Sequence, residues 1–580
     1  MKKWVSIGSA ALLMFAFGAC GDLDDLTDLD VINENNPDRE RALSEAGDIE
    51  SLVSSGFFLW YDAELGTGNP SSAMATAGEE TSVSWGNHGA QQLGTEPRVQ
   101  WPNSSSWRYR ALNEWPWYRH YEALSSIYDG FTAIEAQPEL CDEIDCDRAH
   151  AFGRLVQGLS HGFLGVMFDS AFIYDESIDL ETDVLELKPY PNVVAAAEGY
   201  LNDAISEASG AAWALPSAWI RGNGWDAAYM ARFASSMKAR LLYQFARTPG
   251  EMTTEIWNKI IAAVDAGIQS GGPGVSGAIY DRDGVFLEGD VQGDWWGGLI
   301  YYATQTAGAS WHRADYKAIG YYDQSTGYTD WLATPLNDRD DFVLNTLDER
   351  VHAPGDGQAD GIDFVFKGAS PFPAARGTYF YSMYMNANYE EYSNGDQGDP
   401  IPIMLYVTQQ LIKAEALAQT GNLAAAKAIV DVTRVGRGNL PPASATDLNQ
   451  LLGEIYYDHI IENMVVATGG AYFPRRHFQA LSPTGPNHHW GLVEGTPLHY
   501  AMPGKEMEIL QKLNYSYGGV GFEGGTLTAA AASGAGTGTT VPARAIYAFD
   551  GLDTTADKLD YIYRDRDDRP SAGVMNLVRH

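Results

Sequence analysis

Two stretches of the chain carry the residue types that hold a sugar. A pyranose ring presents faces of C–H bonds that lie against flat aromatic rings, while amides, carboxylates, guanidinium groups and imidazoles bond the hydroxyls at its rim. ETSVSWGNHGAQQLGTEPRVQWPNSSSW supplies Trp85, followed by Asn87 and His88, and then Trp101 with Asn103. GDWWGGLIYYATQTAGASWHRADYKAIGYYD supplies Trp295, Trp296, Trp311, Tyr321 and Tyr322. The competing reading is that these rings pack long loops onto a body, because loops of this length need cores of their own.

Other chemistries have thinner support. Asp356, Asp360 and Asp363 fall in a glycine-rich stretch, APGDGQADGIDF, which either holds calcium through carboxylates or is a solvated loop. Neither it nor YDRDG at 280–284 has EF-hand spacing. His488 and His489 are adjacent and tend to point apart, a poor start for zinc. No metal or redox cofactor is therefore expected. No nucleophile elbow, H-E-x-x-H pair or phosphate-cradling loop is picked out. Pairs such as Glu79-Glu80 or Glu390-Glu391 arise by chance among 76 acidic residues and do not mark a hydrolase. The expectation is a protein that is not an enzyme.

The chain has 580 residues, 45% hydrophobic and 12% aromatic, a globular composition large enough for an extensive core. Its formal charge of −38 repels nucleic acid and polyanionic glycans at long range, so no nucleic-acid partner is expected. Neutral sugars and cationic peptides are compatible with that surface, as is a simple adaptation for solubility or salt.

The first residues address the chain to a membrane. Lys2 and Lys3 precede an apolar run from Trp4 to Ala19, and small residues Gly18-Ala19 lead into Cys20. This is the layout of an export signal, too short to span a bilayer comfortably. FGAC resembles a bacterial lipobox, with Phe17 where Leu is usual, which would make residues 1–19 a lipoprotein signal peptide and Cys20 the lipidated residue. An ordinary signal peptide with an incidental cysteine is the alternative. GDLDD after the cysteine is similar to the acidic tag that sends lipoproteins to the outer face of the outer membrane. Residues 20–45 then form an acidic tether. Cys141 and Cys146, in CDEIDC, suit either a small disulfide in an oxidising compartment or two free thiols.

The elements that must position the aromatic stretches are helices. Ile49, Leu52, Val53, Gly56, Phe57 and Trp60 form one stripe at helical spacing, and Tyr121, Leu124, Tyr128, Phe131 and Ile134 another. Trp60, Trp115 and Trp117 are expected in the core. Further helices are read in AHAFGRLVQGLSHGFLGVMF, VVAAAEGYLNDAISEAS, WDAAYMARFASSMKARLLYQFAR, IWNKIIAAVDAGI, MLYVTQQLIKAEALAQTG and LAAAKAIVDVTRVGRG. They come in pairs with Ala and Gly at contact positions, a tetratricopeptide-like grammar without a strict repeat. The fold class is mostly α, an irregular helical-repeat body with large aromatic-rich loops. The domain reading is one body over 46–580, with insertions near 66–116, 270–400 and 515–550.

These features together resemble the SusD/RagB family of nutrient-binding outer-membrane lipoproteins. AHAFGRLVQGLSHGFLGVMFDSAFIY (149–174) is similar to that family's A-x-x-R-A-L helix. Ala414-Glu415-Ala416, Gly421 and the run Val432 to Arg437 match its paired-helix motif. TLDERVHA (346–353) resembles its D-P-R segment, with Glu349 in place of Pro. YAMPGKEMEILQKLN (500–514) resembles its closing motif through Pro503, Glu506 and Asn514. The family's E-R-R-x-E-L segment is matched only loosely by IYYDHIIENMVVATGGAYFPRRHF, which marks a divergent member. The resemblance implies about four tetratricopeptide-like helix pairs, no catalysis, and a lid on a SusC-like TonB-dependent transporter that captures oligosaccharides or peptides. It implies lipid anchoring in the outer membrane, facing outward. A non-catalytic scaffold lipoprotein, or an exported α-helical glycoside hydrolase or lyase, would be the rival classes.

Overall fold

A computed structural model describes residues 43, 45–66, 69–83, 89–269, 284–289, 297–308, 311–353, 358–368, 382–478, 480–481, 491–519 and 540–542. Ten helices dominate it: α1 Ala46–Glu64, α2 Asn69–Ala77, α3 Ala111–Ala136, α4 Cys146–Met167, α5 Tyr190–Ala208, α6 Ala227–Gln244, α7 Thr254–Ala266, α8 Tyr406–Gln419, α9 Leu423–Gly436 and α10 Leu448–Asn463. Eight of these form four pairs: α1 with α3, α4 with α5, α6 with α7, and α8 with α9. Successive pairs stack through α1 and α3 on α4, α5 on α6, and α7 on α8, with α10 closing the last pair.

The apolar stripes dictate this packing. On α1, Ile49, Val53, Gly56, Phe57 and Trp60 are buried, and so are Tyr121, Leu124, Tyr128, Phe131 and Ile134 on α3. Trp115 and Trp117 are buried as well. Close approach needs missing side chains: a Cβ on Gly130 would meet Val53 Cγ2 at 2.6 Å, and one on Gly158 would meet Leu201 Cγ at 2.6 Å. Helix starts are capped by short polar side chains, Asp145 for α4, Asp226 for α6, Thr253 for α7, Asn422 for α9 and Asp447 for α10. Cys141 and Cys146 form a disulfide at the turn into α4.

The long connections are laid on this body by short strand pairs. Thr81–Val83 runs antiparallel to His312–Ala314, Gly284–Leu287 to Ile401–Leu405, Phe364–Phe366 to Tyr384–Asn386, and Trp101–Pro102 to Ser516–Tyr517. Between α7 and α8 an aromatic nucleus forms, with Tyr316 stacked 4.2 Å from Phe342 and edge-on to Trp331 and Tyr384. That nucleus is continuous with the helical core. Among the described residues no helix is long and apolar enough to cross a membrane. The segment read as a signal peptide, Cys20 and most of the stretch read as a tether lie outside the described residues.

Candidate functional site

Many residues of the sequence motifs converge on buried charge clusters. Arg350, from the D-x-R segment, is fully buried with its guanidinium 2.7 Å from Asp348, 2.6 Å from Asp458 and 2.9 Å from Glu462. Arg437 of α9's C-cap bonds Asp363 at 2.6 Å and also pairs with Glu462. Tyr457 adds a hydroxyl to Asp348 at 2.9 Å. Burial raises the Asp458 carboxyl to about 6 against the pull of Arg350. Glu415 of α8 accepts Tyr243 Oη at 2.5 Å from α6 and lies 3.2 Å from His477 Nε2, tying two helix pairs together. None of these groups presents chemistry to solvent.

A third cluster gathers round Glu79, which binds Arg98 at 2.8 Å, Arg475 at 2.9 Å and Lys317 at 3.3 Å. Its neighbour Glu80 accepts the amide of Val465 at 2.5 Å, and burial pushes its carboxyl up to about 7. The Glu79-Glu80 pair therefore bolts the segment after α2 to the C-terminal half. The paired arginines Arg475-Arg476 act in the same way. Arg476 donates to the carbonyls of Val166, Leu498 and Gln244, the first and last lying in the final turns of α4 and α6.

The sequence-nominated rings go to different places. Trp101 is a core side chain, 2% exposed, packed 4.9 Å from Tyr500 and stacked 6.2 Å from Tyr472. It offers no free face, which corrects its nomination as a ligand ring. Asn103 is buried too, donating to Met502 O at 2.8 Å and accepting Tyr515 N at 2.7 Å. Tyr321 and Tyr322 are half-buried against Tyr457, with ring centroids 6.1 and 4.6 Å away. Arg434 lies over Tyr322 and donates to its hydroxyl at 2.5 Å. Trp85, Asn87, His88, Trp295 and Trp296 lie outside the described residues.

Trp311 is half-buried. Its amide donates to Tyr302 O at 3.1 Å, which brings it beside the half-buried pair Tyr301 and Tyr302, whose rings meet edge-on at 5.3 Å. Tyr301 and Tyr302 lie in the short helix Gly298–Ala303. Sequence reasoning passed over both, although each sits in the quoted aromatic run. Gln305 donates to Tyr301 Oη at 3.3 Å. Exposed Asn394 donates to Thr306 Oγ1 at 2.6 Å and accepts the amide of Ala307 at 2.9 Å. Thr306 Oγ1 also bonds Glu390 at 2.5 Å, and Lys367 Nζ donates to Thr306 O. Thr304 and Ser393 share a hydroxyl bond of 2.5 Å beneath. Three half-buried aromatic residues thus lie close along the backbone to amides and hydroxyls, in a turn tied to Ser393 and Lys367.

Two of the three weak calcium candidates have partners within the chain. Asp363 is committed to Arg437, and Asp360 accepts the amide of Phe366 at 2.9 Å. Asp356 lies outside the described residues. Among the described residues no three His, Cys, Asp or Glu side chains cluster to hold a metal ion. Contrary to the sequence reading, GLSHG at 158–162 does have G-x-S-x-G spacing. It lies within α4, with Ser160 fully buried and His161 bonded to Gln157 O and to the amide of Tyr174. A nucleophile elbow needs a sharp strand-to-helix turn that exposes the serine, and this one has neither.

No protein-family model and no curated protein matches the sequence. Solved structures do match. A SusD superfamily protein from Parabacteroides distasonis ATCC 8503 is 12% identical and aligns over 80% of this chain and 97% of its own, with TM-score 0.54. A SusD superfamily protein from Bacteroides vulgatus ATCC 8482 is 14% identical over 80% of this chain and 97% of its own, TM-score 0.51. A SusD-like carbohydrate binding protein from the same organism is 12% identical over 75% and 84%, TM-score 0.50. The chain has the SusD-like fold, a mostly helical architecture of tetratricopeptide-like pairs.

Proposed function

We propose that this chain is a surface lipoprotein that captures oligosaccharides, or peptides, and delivers them to a SusC-like TonB-dependent outer-membrane transporter. It would do so without catalysis. The observation that carries the reading is the SusD-like body, with half-buried Tyr301, Tyr302 and Trp311 close to amide and hydroxyl side chains in one of its long connections. One structural neighbour is described as a carbohydrate binding protein. Trp85, Asn87, His88, Trp295, Trp296, Tyr321 and Tyr322 remain proposed ligand contacts on the strength of sequence. The lipobox at Cys20 and the acidic run after it support an anchor in the outer membrane, facing outward.

The test is calorimetric titration of the detergent-solubilised protein with glycan and peptide panels, with product analysis in parallel. Saturable binding without products is expected, and product formation overturns the reading. A Cys20→Ala variant should appear in the soluble fraction. Its retention in the membrane would remove the lipid anchor from the proposal.

A further inference from the structure

Leu513 is held in water by the backbone around it. The short helix Gly504–Ile509 ends in a Schellman turn, with Gln511 N donating to Glu508 O at 3.1 Å and Lys512 N to Met507 O at 2.7 Å. Gln511 takes the left-handed conformation this turn requires, φ +54°, where glycine is the usual residue. Two residues beyond Leu513 the chain is clamped again. Asn103 and Tyr515 exchange backbone and side-chain bonds at 3.1 and 2.7 Å, and Tyr515 Oη donates to Asp169 at 2.8 Å. Between these two fixed points Leu513 is 89% exposed, with Ile509 39% exposed on the preceding turn.

The surroundings are aromatic and cationic. Residues 103–105 pack against the start of the same helix, where a Cβ on Gly504 would meet Asn103 O at 2.1 Å, and Ser105 Oγ donates to Glu508 at 2.9 Å. They lead into half-buried Trp107 and Tyr109, whose rings meet edge-on at 6.0 Å, with exposed Arg108 over the Tyr109 ring. Lys505 and Lys512, both half-buried, flank Ile509 and Leu513 in sequence. Arg108, Lys505 and Lys512 thus stand with a single exposed carboxylate, Glu508, on a chain of net charge −38. Glu506 and Asp169 are buried.

We propose that Leu513 and Ile509, with Trp107, Tyr109, Arg108, Lys505 and Lys512, form a docking surface for a membrane bearing anionic lipid headgroups. A protruding leucine fits a fluid acyl boundary, which needs no matching pocket, while tryptophan and tyrosine suit the headgroup level. The three cations give this part of an acidic chain the charge that complements anionic lipid. Only the lipid anchor is taken from the proposed function. An anchor at Cys20 would hold the body close to a bilayer, so that weak contacts suffice through effective concentration.

The test places a reporter on the leucine. With Cys141 and Cys146 in a disulfide and Cys20 lipidated, the wild-type chain should take up no thiol label. Leu513→Cys and the comparison site Leu347→Cys, where the leucine is 58% exposed, are each labelled with an environment-sensitive fluorophore and reconstituted into vesicles as full chains. At Leu513 the emission should shift to the blue on vesicles containing about one third phosphatidylglycerol at low salt. The shift should be absent on pure phosphatidylcholine and reverse near 1 M salt, where the screening length is about 3 Å. Leu347→Cys should not shift. Each of Arg108→Gln, Lys505→Gln and Lys512→Gln should lower the ratio of docked to undocked protein about fivefold.

No shift at Leu513 on anionic vesicles overturns the proposal, as does an equal shift at both sites or on neutral vesicles. A shift that grows with protein concentration without vesicles assigns the face to a second copy of this chain and overturns it too. Label uptake by the wild-type chain removes the lipid anchor from the proposed function. The docking surface is then read from Leu513→Cys in a Cys20→Ala background with vesicles added, where the same shifts support it and their absence overturns it.

Discussion

Two regions of this molecule use the same kinds of side chain to opposite ends. Around Arg350, one guanidinium and the carboxylates of Asp348, Asp458 and Glu462 are all fully buried and paired. Around Trp311, half-buried rings lie near amides and hydroxyls, and Lys367 donates to the carbonyl of Thr306. The first region is built from residues that carry the sequence resemblance, and the second from residues that do not. Motif residues here hold the inserted segment and the helix pairs together, while the surface available to a ligand is left to side chains under no such constraint. This is why a resemblance can settle an architecture and stay silent about a ligand.

The comparison breaks most visibly at Arg350. Arg350→Met leaves three buried carboxylates without their partner, and should cost about 3–5 kcal/mol of stability, read as a lowered denaturant midpoint. A loss below about 1 kcal/mol would mean that solvent reaches the cluster and that the contrast is false.

A second probe asks whether buried acids of the body behave as buried. Glu506, in the closing motif, is pushed up to about 7 from 4.5 by burial, with a hydrogen bond from Tyr118 opposing the shift. A carboxyl raised in the folded state binds its proton more tightly there than in the unfolded chain. Its ionisation therefore costs nothing below 4.5, and the penalty grows as pH rises to about 7 and is constant beyond. Glu80, also raised to about 7, acts in the same direction. Midpoints measured from pH 4.5 to 7.5 should show a steeper decline for the wild type than for Glu506→Gln. Parallel profiles would show that Glu506 is hydrated.

On the outward side the effects should appear in binding and not in folding. Trp311→Ala is expected to weaken a bound oligosaccharide by about 1 kcal/mol or more, roughly fivefold to tenfold, with little change in the unfolding midpoint. A large stability loss with intact affinity would return Trp311 to the packing role that was its alternative. Asn394→Ala should have the smallest effect, about 0.5–1.5 kcal/mol in affinity, because the residue is exposed and lends single hydrogen bonds.

Much of the body was legible before any coordinates. The stripes on α1 and α3 fixed which faces are buried, since a helix has no other way to hide residues three and four apart. The pairing of helices followed from small residues at contact positions. The ring nominations were legible only in part. Trp101 and Trp311 look alike in sequence, each a tryptophan in a polar, turn-rich run. One pairs with Tyr517 across a strand and is covered by Tyr472 and Tyr500, and the other follows a turn at the rim. Burial of a loop tryptophan depends on partners nearly four hundred positions away, and no local pattern contains them. GLSHG shows the same limit, because a five-residue spacing does not say whether its serine stands on a turn or inside a packed helix.

By itself, then, the sequence determined the local quantities: helical periodicity, charge of −38, a lipobox-like leader and the supply of aromatic residues. These depend on neighbours within a turn or on simple sums. Only the tertiary structure decided which carboxylates are spent on which arginines, and which rings keep a half-open face. Those outcomes are set by contacts between distant segments, such as Glu79 with Arg475 or Asp348 with Tyr457, where the free energy of burial is shared among residues that the linear chain keeps apart.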